Sequence, residues 1–526
     1  METTEKNNSM NAQNSFKHLT VTIIFDGNAL NRDEKIAGNI TAIKKLNYNG
    51  EVRSFISKYA IRHYLFETLV KSKNWSKDAK LIASGSGDKK VIQFDITQSD
   101  ILNNEEMDCF GYMYTEETFT RKAPIGITKA ISLYPSKQDM ALYANHNLVK
   151  RSREEGQADV QPNLFNKEEH ASYYKVSFTI DTDIIGVDKW IIEDYVYDHK
   201  NNALTLLIQK PKIAIIKDVS KIENDEDESD EIERYQVGQD KIIIKEGNFL
   251  KVQTKLMKKE TKNKKDLLKF NEKYLKKDEK KHEDNDTQKQ EDTSKNKKNK
   301  KQSTIEIKEF EELKEDNNEF YVFEIQKEPV YDENKKELKI ELGLTKKINE
   351  IEEVTKDKVQ NSILDKYKLE DLNGKVKIFK NSPKNHFIVV RKVADDKHIV
   401  EFLISDDEKQ KRICDILSVL KNGLYAQSSG ESNTIIPLVF IAATVKVPSP
   451  IFHPYIDIQK GSNGQVIGIN DGLNNDWVEK VYIQRCEKVN VNIDEGNKIK
   501  IIKEWNDFLK EAGLSNCIQN TQTNEP

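Results

Sequence analysis

The charged tract in the middle of the chain constrains the fold more than any apolar segment does. From 276 to 302 the sequence is almost wholly Lys, Glu, Asp, Asn and Gln, with a few Ser, Thr and His. Such a run cannot bury enough apolar surface to offset the entropy lost on ordering. It is predicted to be disordered, a solvated tether whose lysines would add at most a loose attraction for a polyanion. Apolar periodicity lies on both sides of it, so the core is expected from two separated parts, 19–210 and 386–515, around an insertion at 211–385. The ends, 1–18 and 516–526, are polar and read as flexible tails. With 37% hydrophobic and 33% charged residues in 526, the composition fits folded cores diluted by a solvated segment.

The first part opens on L-T-V-T-I-I-F at Leu19 to Phe25, a β-branched run of strand length. A polar loop follows. From Arg53 to Val70 the apolar residues Phe55, Ile56, Ala60, Ile61, Leu65 and Leu69 recur at helical spacing, with Arg53, Lys58 and Arg62 interleaved. Strands are expected at Tyr174–Asp181, Lys189–Tyr197 and Ala203–Gln209, the last two as a hairpin across D-H-K-N-N. In the second part a helix is expected at Glu408–Leu420, closed by Asn422-Gly423, and a buried strand at Ile435–Val445. This order predicts an α+β fold with an antiparallel core of ferredoxin-like type.

Several function classes are disfavoured. Cys109, Cys414, Cys486 and Cys517 lie far apart, so neither a disulfide framework nor a cysteine-based zinc site is expected, and a reducing compartment fits. The N-terminal stretch has no apolar run of signal-peptide type, and no segment approaches the ~20 apolar residues of a membrane span. A cytoplasmic protein without a membrane partner is the expectation. The net charge of -4 decides nothing, because the acidic block at 224–233 and the lysine-rich 255–281 are separate local features. H-E-x-x-H, G-x-x-x-x-G-K-[ST] and G-x-S-x-G are all absent. S-G-S-G-D at Ser84–Asp88 reads as a hairpin turn rather than a phosphate loop. The histidines never take a two-ligand spacing, and neither metal nor cofactor is expected. Asp26 and Asp33 flank the G-N-A-L-N-R loop; as lone carboxylates they are weak candidates for catalysis, and turn-capping is the simpler reading.

One constellation stands out. The loop Gly27–Asp33 offers Asn28, Asn31 and Arg32, and the predicted helix opens with Arg53, Ser54, Ser57, Lys58 and Arg62. Hydroxyls and free amides at a helix start, backed by cations, suit an anion. An ordinary amphipathic helix with a solvated basic face fits the same residues equally well.

L-N-R-D at Leu30–Asp33 followed by V-R-S-F-I-S-K-Y-A-I-R at Val52–Arg62 resembles the opening signature of the CRISPR-associated "Cas seven" backbone subunits, also called DevR-type autoregulators. D-C-F-G-Y-M at Asp108–Met113, A-P-I-G-I-T-K-A-I-S at Ala123–Ser132 and S-Y-Y-K-V-S-F-T-I-D at Ser172–Asp181 follow in the family's order, most similar to type I-B proteins. The resemblance implies a ferredoxin-like (RRM-like) palm, helical fingers and an extended thumb, here at about 121–169, to which this chain adds its long charged insertion. It implies a non-catalytic subunit of a surveillance complex that polymerises along guide crRNA. The palm would grip the ribose-phosphate backbone while the bases pair with target DNA. Partners implied are the crRNA, further copies of the chain and other CRISPR-associated subunits. Carried over residue by residue, the grip falls to Asn31, Arg32, Arg53, Ser54, Ser57, Lys58 and Arg62. Arg121, Lys122 and Lys129 would be further contacts, with Met113 a wedge between bases. Tyr112 stands where an arginine is common, and the insertion matches nothing in the pattern. Two other readings remain in view: an endoribonuclease acting through a loop aspartate, and a transcriptional autoregulator.

Overall fold

The computed structural model describes residues 16–28, 40–84, 91–115, 119–222, 232–276, 307 and 310–518, apart from short gaps at 138, 158, 210–211, 248, 263–264, 316–317, 326–327, 356–375, 382–383, 395–396, 429–430 and 460–464. Asn31, Arg32, Asp33 and nearly all of the 276–302 tract lie outside the described residues.

The architecture is mixed α+β. Its main sheet contains β1 (His18–Asn28), β2 (Lys45–Tyr48), β3 (Glu51–Ile56), β4 (Ile125–Ile127), β5 (Ala130–Ser132), β6 (Ala171–Ile180), β7 (Pro437–Val445), β8 (Val478–Arg485) and β9 (Ile501–Ile502). Their order is β2-β3-β5-β6-β1-β7-β8-β9, with β4 also pairing β6. β1 sits at the centre, antiparallel to both neighbours, with Leu19 opposite Ile180 and His18 opposite Val445. Strand alternation sorts its side chains. Leu19, Val21, Ile23 and Phe25 join a core with Tyr174, Val176 and Phe178, covered by Ile61, Leu65 and Leu69 of α1 (Lys58–Lys73) and Ile413, Ile416 and Leu420 of α2 (Asp406–Asn422). On the other face, Val439, Ile441 and Ala443 of β7 pack under Ile451, Phe452 and Ile456 of the following segment.

The helix expected from Arg53 begins only at Lys58. Val52–Ile56 has strand alternation: Ile56 enters the core beneath the helices, and Arg53 points to the opposite face. Ser57 ends that strand and caps α1, its hydroxyl accepting from the amide of Ala60 at 3.3 Å. α2 starts on a matching signal, with Ser405 accepting from the amide of Glu408. It ends at Gly423, whose φ of +117 suits glycine and where a Cβ would come within 3.1 Å of Ile435 and Ile436.

The inserted unit is larger than the 211–385 expected. Val187–Ile192 already leaves the main sheet and pairs with Lys397–Leu403. The expected hairpin across D-H-K-N-N does form, between Asp194–Asp198 and Ala203–Leu207, with its first strand shortened at the start. Trp190, Leu204, Phe379 and Phe402 centre one inserted core, and Ile216, Tyr235, Ile243 and Leu338 a second, β-rich one. The expected thumb also contracts. β4 and β5 belong to the main sheet, so the part of 121–169 that projects is an arm of two strands, Met140–Ala144 and Leu164–Glu168, with the helix His146–Glu154 between them. Among the described residues no helix is long and apolar enough to cross a membrane.

The cysteine expectation is corrected. Cys414 on α2 and Cys517 form a disulfide across 103 residues of sequence. Spacing could not reveal it, because α2 and the C-terminal segment are brought together by tertiary packing, through the shared core of Ile413, Phe508 and Leu514 and the hydrogen bonds of Asn516 to Asp407 and Gln410. Closing a loop of ~100 residues is worth up to about 4.7 kcal/mol in the chain-entropy account. Dithiothreitol is therefore expected to lower the melting temperature by several degrees. Cys517→Ser should melt at that lower temperature with or without the reductant, as thermal melts by circular dichroism would show.

Candidate nucleic-acid interface

The corner where β3 turns into α1 carries cations interleaved with aromatic rings. Lys58 is exposed, its ammonium 4.9 Å from the ring centre of Tyr59, which is itself 71% exposed. Lys129, from the β4–β5 connection, stands over the ring of Phe55 at 5.9 Å. Lys122 is also exposed. Ammonium groups meet phosphates and exposed rings stack on bases or ribose, so this surface suits a single strand. Tyr59 and Phe55 were not singled out in the sequence. The signal available was their adjacency to Lys58 and Arg53, which helical periodicity masked.

Other expected contacts turn inward, and three are corrected. Arg53 is buried, paired with Glu51 at 3.2 Å and Asp457 at 3.3 Å, donating to the carbonyl of Ser132 and lying over Tyr48. Ser54 is buried with its hydroxyl 2.7 Å from both His170 Nδ1 and the Tyr174 hydroxyl. Arg121 is buried against Asp108, donating also to the carbonyls of Val187 and Ile184. All three are buried among partners of the same chain rather than exposed at the surface. Arg62 is half-buried, bound to Glu106 at 2.9 Å and stacked over Phe110. Met113 is 58% exposed on the hairpin formed by Tyr112–Tyr114 and Phe119–Arg121. Tyr112, where the family pattern has a basic residue, donates to Asp188 at 2.7 Å and accepts from the Trp190 indole at 2.7 Å. It anchors the inserted unit.

Register separates the two halves of the expected grip. Ile24 pairs Lys175, Lys175 pairs Ile131 and Ile131 pairs Phe55. Asn28 lies four residues beyond that row at one end of the sheet and Lys58 three beyond it at the other, ~23 Å apart along the strand direction at about 3.3 Å per residue. One pocket cannot contain both; a strand of several nucleotides can pass both.

The sheet face between them is occupied. Lys175 donates to the carbonyl of Ile456 at 2.6 Å, and burial pulls its pKa down to about 8, with Asp457 opposing. The Thr22 and Ser177 hydroxyls are 2.7 Å apart, and Ser177 reaches His453 Nδ1 at 3.2 Å. Burial, helped by Lys175, lowers His453 to about 4. Burial also lowers His386, to about 4. Between pH 6.5 and 4 the unfolded chain takes up protons on these rings that the folded chain refuses, so stability is lost as pH falls. The melting temperature should drop across that window, and less steeply in His453→Gln. Lys175 acts in the same sense higher up: between about pH 8 and 10.5 the folded chain loses its proton first, and stability rises with pH.

Asp26 is paired with Lys488 at 2.6 Å. His18, Asp181 and Asp183 form the one His–carboxylate group of possible metal-ligand geometry among the described residues. Asp181 lies 3.6 Å from His18 Nδ1 and Asp183 3.5 Å from Nε2, and the Thr182 amide donates to Nδ1, so that nitrogen is already engaged within the fold.

The family model of the CRISPR-associated negative auto-regulator DevR/Csa2 matches residues 19–461. No curated protein matches the sequence. Two similar solved structures are titled "CRISPR RNA-guided surveillance complex" and "CRISPR RNA-guided surveillance complex, pre-nicking". The first is 12% identical with a TM-score of 0.20, covering 32% of this chain and 51% of that one. The second is 10% identical with a TM-score of 0.22, covering 32% of this chain and 65% of that one. Similarity that low leaves the functional reading to rest on the family match and the surface chemistry.

Proposed function

The chain belongs to the CRISPR-associated DevR/Csa2 family, and on that premise we propose that it is a non-catalytic backbone subunit of a type I RNA-guided surveillance complex. Copies line up along one guide crRNA and hold its ribose-phosphate backbone, leaving the bases to pair with target DNA. The observation that carries this reading is the exposed Lys58–Tyr59 and Lys129–Phe55 corner within the family-matched region.

A ferredoxin-like palm is supported by the antiparallel order β7-β1-β6-β5, with α1 and α2 on one face. The arm that projects between β5 and β6 takes the place of the thumb, and a strand of guide would cross the sheet edge rather than the face that Ile451–Ile456 covers. A non-catalytic role fits Asp26, whose carboxylate is held by Lys488. The protein purified from cells under gentle salt should carry short RNAs sharing a repeat-derived end with variable middles. Recovery of RNA with no common end, or of none, would count against the reading. The family's own description also names negative autoregulation; sequence-specific binding of the full chain to duplex DNA upstream of its gene would favour that alternative.

A further inference from the structure

The Cys414–Cys517 disulfide is placed unlike a staple of the core. It is a single bridge and not part of a framework, since Cys109 and Cys486 are free thiols. Both of its cysteines are half-buried rather than enclosed. A small thiolate can reach a bridge of that kind, and accessible disulfides are the labile ones. Cys109 offers no competing nucleophile, because burial pushes its thiol up and keeps it protonated.

What the bridge holds is the end of the chain. The short helix Trp505–Glu511 is docked without it: Phe508 and Leu509 enter the core. Lys17, just before β1, pairs with Glu511 at 2.7 Å and donates its amide to the Ala512 carbonyl at 3.3 Å. Gly513, at φ +78, then turns the chain, and Leu514 is buried in the same core. From Ser515 to Ile518 the chain lies along α2 as a strap. Asp407, Gln410 and Cys414 fall at i, i+3 and i+7, on one face of that helix. Asn516 donates its side-chain amide to Asp407 at 3.1 Å and its backbone amide to Gln410 at 3.2 Å, and Cys517 closes the bridge one residue on. Ser515 and Asn516 are exposed, and Cys517 and Ile518 pack only partly against the core. Hydrogen bonds in reach of water give little net stabilisation, so the covalent bond is the strongest tie of the strap.

We propose that Ser515–Ile518 is a redox-operated strap, closed on α2 while the bridge is oxidised and released when it is reduced, with the helix Trp505–Glu511 staying docked. The reductant is a low-molecular-weight thiol of the glutathione class. Its thiolate attacks one sulfur of the bridge, forming a mixed disulfide and expelling the other sulfur as thiolate. A second small thiol then attacks the mixed disulfide. The products are two protein thiols and one small disulfide, two electrons and two protons having passed to the protein, and the reverse sequence closes the strap again. Opening bares the Asp407–Gln410–Cys414 face of α2. This switch is independent of RNA binding and of the backbone-subunit reading.

The test is hydrogen exchange of the full chain, read by mass spectrometry after native treatment with reduced or oxidised glutathione. The amides of Asn516, Cys517 and Ile518 donate within the closed strap, to the Gln410 side chain and to the carbonyls of Leu514 and Ser515. After reduction they should exchange roughly 10-fold faster or more, while Phe508 and Ala512 stay protected by their bonds to Glu504 and Phe508. Oxidised glutathione should restore the slow rates and lower the chain mass by two hydrogen atoms. Cys517→Ser, which leaves Asn516 in place, should exchange fast under both treatments. A bridge that reduced glutathione opens only after denaturation would overturn the proposal and leave a static staple. So would an opened bridge with strap amides as slow as before, or a Cys517→Ser strap as protected as the oxidised wild type. A reduced chain that oxidised glutathione leaves in its dithiol form would overturn it as well. Loss of protection at Phe508 and Ala512 together with the strap would do the same, since the bridge would then hold the whole C-terminal end.

Discussion

Asp108→Ala is expected to cost the fold several kcal/mol. Asp108 is 0% exposed, and its two oxygens serve three donors. One accepts from the Arg121 guanidinium and from the amide of Gly186 at 2.8 Å; the other accepts from Arg412 at 2.8 Å. Arg412 is 1% exposed and donates further to Glu408 and to the carbonyl of Ile101. The cluster ties α2, the main-sheet side and the inserted unit together at one point. Removing the carboxylate takes the closest counter-charge from two buried guanidinium groups, leaving Arg412 to Glu408 and Arg121 to Asp188 at 3.9 Å, and breaking a buried pair costs about 3–5 kcal/mol. That is a large share of the roughly 5–15 kcal/mol by which domains are stable. Asp108→Ala should melt many degrees below wild type or fail to accumulate as soluble protein, while Asp108→Asn, keeping one acceptor, falls between. Arg121→Lys should also lower the melting temperature yet leave the salt dependence of RNA binding unchanged, since Arg121 is buried against Asp108. An Asp108→Ala protein melting within a degree of wild type would refute the account of this cluster.

The same cluster shows what sequence could and could not convey. Leu19–Phe25, the 408–420 helix and the strand before Val445 were legible because each buries a face whose period is local. The Val52–Ile56 strand was not, since Phe55 and Ile56 extend the helical pattern of α1 by chance and only pairing with β5 decides the matter. Pairings such as Val187–Ile192 with Lys397–Leu403 join segments some 200 residues apart, beyond any window of periodicity. At the site, residue type pointed to cations, and burial then divided them. Lys58, Lys122 and Lys129 stay outside, whereas Arg53 and Arg121 are consumed by Asp457 and Asp108. An arginine's charge says nothing about whether its partner is a carboxylate of the same chain or a phosphate of another molecule. Alternation along the strand is what separates the cases.

Lys58→Glu/Lys129→Glu is expected to weaken binding of single-stranded RNA by one to two orders of magnitude at 0.1 M salt. The two ammonium groups sit at the same corner, each over an aromatic ring, and neither is tied into the core. Loss of two phosphate contacts should flatten the slope of log affinity against log salt by about 1.4, and the reversed charges add repulsion on top of that loss. Tyr59→Ala offers the complementary signature. Stacking on one base is worth about 1–3 kcal/mol, and it is indifferent to salt. The tyrosine variant should therefore lose roughly 10-fold in affinity with the slope intact. Parallel titrations of both variants at several salt concentrations, against RNAs of unrelated sequence, separate charge from stacking. They also test for the sequence tolerance that a guide-backbone grip demands. Equal losses in slope for Tyr59→Ala and for the lysine pair would show that Tyr59 only positions Lys58. Full affinity in both would move the RNA path away from the β3–α1 corner altogether.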